Sequence, residues 1–142
     1  MSAEENKAIA RRVVEEHIST GDVEGARSIM AADVVDHNAP PGTSGVGFDE
    51  FVQAISELRS AFPDFNGTIE DIVAEGDKVA MRWVMRGTHQ GSLFGMPATG
   101  KQVEVGVMDI LRIENGKIVE RWGQVDNMGM MQQLGVMPAP GQ

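Results

Sequence analysis

Up to Phe62 the apolar residues of this chain recur at the spacing of a helix, and beyond Pro63 they alternate. A period near 3.6 buries one stripe of a helix, whereas a period of 2 buries one face of a strand. The chain is therefore expected to place helices first and a sheet after them, which is an α+β arrangement with the helices packed on one face of a curved antiparallel sheet.

The helical part begins at residues 3–19. Ser2 and Glu5 fit a capping box, and Gly21 is a stop. Ile9, Val13 and His17 share one face there. Asp22 can cap a short helix over 22–30, and residues 33–37 form a brief β-branched strand. Phe48, Phe51, Ile55, Leu58 and Phe62 then mark an amphipathic helix that Pro63 ends. Strands are expected over 68–74, 78–89, 103–113 and 117–126, and a closing helix over 128–134. Asn115-Gly116 is a type I′ hairpin signal. The segment GSLFGMPATG (91–100) is too long for a tight turn and reads as a flexible loop.

Composition narrows the function. The 142 residues suit one domain, taken here as 1–142, and 42% hydrophobic content supports a real core. The chain has no cysteine, which removes disulfides and thiolate chemistry. A net charge of -9 argues against nucleic acid, whose phosphates need Lys and Arg. No apolar run is long enough for a membrane span and no signal-peptide core is present, so cytoplasm is the default. His17, His37 and His89 show no metal-ligand spacing, and there is no phosphate-binding loop, so neither metal nor cofactor is expected. Ten methionines against no tyrosine allow a Met-lined pocket.

The segments DHNAPPG (36–42), AFPDFNGTIEDIVAEGDKVAMRW (61–83), GTHQGSLFGMPATGKQVEV (87–105) and DILRIENGKIVERWGQVDNMGMMQQLG (109–135) carry a resemblance. In this order the chain resembles the SnoaL-like polyketide cyclases, or ester cyclases, of the nuclear-transport-factor-2-like superfamily. The resemblance implies an α+β cone enclosing a pocket, often a homodimer, and cofactor-free ring closure by intramolecular aldol condensation of a hydrophobic, carbonyl-bearing molecule. The family's acid/base aspartate falls on Asp126, with His37 and His89 as orienting or charge-stabilising groups. The same superfamily holds epoxide hydrolases, isomerases and plain ligand binders, which stand as alternatives.

The residues themselves leave choices open. With a regular pleat Trp122, Gln124 and Asp126 share a face, so Asp126 can stand in the pocket beside Trp122, or simply cap the last helix. Trp83, Met85, Trp122 and Asp109 are the expected substrate contacts. Asp109, in the middle of a strand, is either a second acid or the partner of Arg82, Arg112 or Arg121. An epoxide hydrolase would need an Asp–Arg–Asp set, which Asp109, Arg82 and Asp126 can mimic. His37 can equally close a strand end, and His89 can be a solvated loop residue.

Overall fold

The computed structural model describes residues 2–40 and 42–137; Met1, Pro41 (within DHNAPPG) and the tail from 138 lie outside it. The first helix, α1 (Ala3–Arg12), opens on the expected capping box: Ser2 Oγ accepts from Glu5 N at 3.1 Å and Glu5 returns the bond at 3.2 Å. It runs on as a wider π-helical turn, Val13–Ile18. The orphan carbonyls at that end are claimed by Arg59 of α2 (Phe48–Ala61), whose Nη1 donates to Ile18 O at 2.8 Å and Ser19 O at 3.2 Å.

The expected helix over 22–30 is a single 3-10 turn, Glu24–Ser28, and β1 starts earlier than expected, at Met30–Asp36. The remaining strands are β2 (Asn66–Glu75), β3 (Lys78–Thr88), β4 (Gln102–Glu114) and β5 (Lys117–Val125), followed by α3 (Asn127–Leu134). Asn115 and Gly116 both take positive φ, 51° and 77°, as a type I′ turn requires.

The sheet order is β1-β5-β4-β3-β2. It is mixed, not wholly antiparallel, because β1 lies parallel to β5 while the others form an antiparallel meander. The long helical excursion between β1 and β2 removes the hairpin constraint that would have forced antiparallel pairing. The sheet does not close on itself.

One face is covered by α1 and the helical elements. Val79, Met81, Trp83 and Met85 of β3 and Val105, Val107, Asp109 and Leu111 of β4 point into it. The other face is open. Val73, Met108 and Ile110 sit there at 62%, 62% and 43% exposure. Beyond the end of β5, Gln133 of α3 takes over the ladder: its amide accepts from Glu104 N at 2.7 Å and donates to Glu104 O at 2.9 Å. The loop 91–100 is tied down, because Gln90 and Gly91 donate to Ala61 O while Leu93 and Met96 bond each other. Buried Leu93 anchors it, a role its Gly- and Pro-rich composition concealed.

The two faces predict opposite outcomes for one substitution. Val79→Thr puts an unpartnered hydroxyl into the core and is expected to cost about 1–3 kcal/mol. Val73→Thr on the open face is expected to stay within about 0.5 kcal/mol when the chain is dilute enough to be monomeric. Urea unfolding of both variants checks the assignment.

Candidate active site

Asp109 lies at the centre of β4, opposite Met81 of β3 and Gly123 of β5. It is 6% exposed and the only carboxylate in the buried core of the described residues. Burying a carboxylate is costly unless it is paired, and this one is paired twice. Trp83 Nε1 donates to its Oδ2 at 2.8 Å. Arg121 donates to its Oδ1 from Nε at 3.0 Å, with Nη2 at 2.8 Å from the same oxygen. Arg121 Nη1 then reaches Asp36 at the end of β1, 3.0 Å from Oδ1 and 2.8 Å from Oδ2.

The result is an Asp36–Arg121–Asp109 relay across three adjacent strands, with Trp83 as its fourth member. Burial alone would lower the pKa of Arg121, but Asp109 and Asp36 overcome it and hold the guanidinium above its ordinary value. Its five N–H donors are not exhausted by these bonds, leaving capacity for a ligand oxygen. The cluster is walled by Met81, Val107 and Leu111 and grades toward solvent, since the Asp36 and Arg121 side chains are 28% and 24% exposed. Gly123 makes the meeting possible: a Cβ there would overlap the Arg121 guanidinium and the Asp109 carboxylate.

Asp126 is elsewhere. It is exposed and caps α3, its Oδ1 accepting from Gly129 N at 2.9 Å. Trp122, Gln124 and Asp126 do share a face, but it is the open one, and Trp122 is not a wall of the covered side. The cause is a register shift between Arg112 and Ile113, which leaves Val119 without a partner on β4 and reverses the alternation of β5. Ile118 and Arg121 therefore point into the covered face while Glu120 and Trp122 point out. His37 follows them outward. It stacks on Trp122 at 4.9 Å and 9° and bonds Glu120 Oε2 at 2.8 Å. Arg82 is also on the open face, 3.7 Å from Asp71, so the set Asp109, Arg82 and Asp126 does not assemble.

Met85 is buried on the covered face. His89 continues the line of β3 as a fully buried residue and packs 5.5 Å from the Phe62 ring. Thr99 N donates to its Nδ1 at 3.2 Å, which leaves the proton on Nε2, and Nε2 has no partner among the described residues. His17, which the sequence sets on one helix face with Ile9 and Val13 and gives no role, is 4% exposed with Nδ1 donating to Asp22 O at 2.9 Å. Asp36 and Gly123 were given no role from the sequence. Asp36 ends a β-branched run and Gly123 interrupts a strand, and both are weak signals without the register.

The sequence model of the SnoaL-like polyketide cyclases matches residues 8–134. The chain belongs to that family. Among relatives, the aklanonic acid methyl ester cyclase DnrD of Streptomyces peucetius is 29% identical over 130 residues, covering 89% of this chain and 88% of the relative. The nogalonic acid methyl ester cyclase of Streptomyces nogalater is 31% identical over 87 residues, covering 60% of this chain and 64% of that one. Among solved structures, TsrD from Streptomyces laurentii superposes with a TM-score of 0.87 at 26% identity, covering 96% and 99% of the two chains. IdmH from Streptomyces antibioticus gives 0.78 at 34% identity, covering 92% and 98%. This likeness fixes the SnoaL-like α+β cone and supports an enzymatic, cyclase-type activity. No helix among the described residues is long and apolar enough to cross a membrane.

The open-face cluster of this SnoaL-like chain gives a pH prediction. Bonds from His37 and then Arg112 hold Glu120 below its ordinary value of 4.5. A depressed carboxylate stabilises the fold above its unfolded value, and that stabilisation is lost as pH falls through the lower folded one. Glu120→Gln is therefore expected to be less stable than the parent at neutral pH, with the gap closing on acidification below about 4.5. Thermal melts across that range check the sign.

Proposed function

We propose that the chain catalyses cofactor-independent acid/base chemistry, an aldol-type ring closure on a hydrophobic, carbonyl-bearing small molecule, and that the Asp36–Arg121–Asp109 cluster is where it occurs. The supporting observation is the burial of Asp109 on the covered face, against apolar walls and an arginine. In this reading Asp109 removes the proton from a carbon flanked by two carbonyls, and a spare Arg121 N–H stabilises the enolate oxygen. The enolate carbon attacks a second carbonyl of the same molecule, one carbon–carbon bond forms, and the new alkoxide takes the proton back from Asp109. In this reading His89 takes no part: it lies eight residues along the chain from Met81, the residue that faces Asp109, and at about 3.3 Å per residue that is far outside the cluster. The geometry favours Asp109 over Asp126, which is exposed and already committed as a cap.

Benzoylacetone in deuterium oxide separates the two carboxylates, because exchange at its central carbon needs only proton abstraction. Asp109→Asn is expected to slow catalysed exchange by about 10²–10⁴-fold while the protein stays folded by circular dichroism. Asp126→Asn should leave exchange and melting temperature unchanged, since Asn is as good a cap. Collapse in Asp126→Asn with full activity in Asp109→Asn would reverse the assignment.

The Asp–Arg–Asp arrangement itself favours one second reading, hydrolysis of an epoxide by a water held between Asp36 and Asp109. Oxygen-18 from water appearing in a diol, across a panel of apolar epoxides, would select it over ring closure.

For assembly we propose a homodimer through the open face. Val73, Ala80, Ile110 and Trp122 form one registered row across four strands of that face, and Met108 adjoins it. So much apolar surface is expected to be covered by a second chain. Sedimentation at micromolar concentration should give twice the 15.3 kDa of one chain, and a species of 15.3 kDa alone would contradict it.

A further inference from the structure

Asn38 lies just past the end of β1 and is bonded twice into the Asp36–Arg121–Asp109 cluster. Its backbone N–H donates to Asp36 Oδ1 at 2.9 Å, so Asn38 and Arg121 hold the same oxygen of Asp36. Its side-chain Oδ1 accepts from Gly123 N at 2.9 Å, where β1 has ended and no longer serves the β5 ladder. Gly123 is the residue opposite Asp109, and a Cβ on it would overlap Arg121 Nη2 and Asp109 Oδ1. The Asn38 amide therefore adjoins the Arg121–Asp109 pair across a single glycine.

The bond from Gly123 also fixes which way the amide points. A backbone N–H needs an acceptor, so the atom facing Gly123 is the oxygen and Nδ2 is directed elsewhere. Among the described residues Nδ2 donates to no protein group. Arg121 has one donor left as well. Its Nε bonds Asp109, its Nη1 bonds both oxygens of Asp36, and its Nη2 bonds Asp109 once, so the spare N–H is on Nη2. Two uncommitted donors thus flank Gly123, beside the proposed base.

We infer that Asn38 is a substrate-binding residue whose Nδ2 donates to the second oxygen of a 1,3-dicarbonyl group, while Arg121 Nη2 donates to the first. The inference rests on the ring-closure reading above, in which Asp109 removes a proton from the carbon between two carbonyls. Loss of that proton spreads negative charge over both oxygens, and a fixed donor on each stabilises the charge more than a donor on one. A substrate held at both oxygens also cannot turn about one of them, which keeps its acidic carbon toward Asp109.

Asn38→Asp keeps an oxygen for Gly123 N and removes both N–H donors, whereas Asn38→Ala removes acceptor and donors without adding charge. In each variant kcat/KM for exchange of benzoylacetone in deuterium oxide is expected to fall at least about ten-fold. Inhibition of Asn38→Asp by 4-phenyl-2-butanone, whose single carbonyl needs only Arg121, is expected to change by less than about two-fold. In the parent, the side-chain NH2 resonances of Asn38 are expected to shift when benzoylacetone is added. Unmoved resonances, or parent-like exchange in either variant, would overturn the role of Asn38. Equal losses toward the two ligands in Asn38→Asp would overturn it too, because a merely structural bond weakens both alike. Full exchange in Asp109→Asn would instead overturn the ring-closure reading.

Discussion

A carboxylate in the middle of the 13-residue strand β4, on the face that the helices cover, imposes a condition that the rest of the sheet must meet. It needs a permanent cation, and Arg121 supplies one from β5 while holding Asp36 of β1 on its far side. Breaking such a pair by removing one partner costs about 3–5 kcal/mol, since the other charge is stranded. The pair also joins β4, β5 and β1 from inside. β1 runs parallel to its neighbour and shows only a short, shifted register with it, so this side-chain bridge is a main determinant of where β1 docks. The fold and the candidate reaction centre thus share one interaction.

The sheet divides its labour between two faces. The covered face holds the buried carboxylate, its arginine and Trp83, and that combination suits proton transfer in an apolar setting. The open face holds Trp122, His37 and Glu120 in one stacked, ion-paired cluster and Met108 and Ile110 in the open, and that combination suits contact with another chain. The burial of one carboxylate on the covered face and the apolar row on the open face draw on the same alternation of side chains.

That alternation was legible in the sequence, and with it the order of helices and strands, the hairpin at Asn115-Gly116 and the burial of Met81, Trp83 and Met85. The direction of β1 was not legible, because parallel pairing depends on a long connection whose path no local pattern records. Trp122 and Asp126 were placed together correctly but on the wrong face. The alternation in β5 is interrupted near Val119, and a strand pattern read in the aromatic and acidic residues alone cannot show a bulge. The same interruption turns Arg121 toward Asp109, so the feature that hid the face of Trp122 also builds the ion pair. Gly123 carried no signal of its own, since the need for an empty position appears only once two side chains are seen to cross over it.

The proposed chemistry belongs to the covered face, at Asp109 and Arg121. A crystal structure with an enolisable aromatic β-diketone bound tests it most directly. The account predicts the acidic carbon against the Asp109 carboxylate and a ligand oxygen within hydrogen-bond distance of Arg121. A ligand seated on the open face, with its reactive carbon at Asp126 and the Asp109–Arg121 pair untouched, would contradict it.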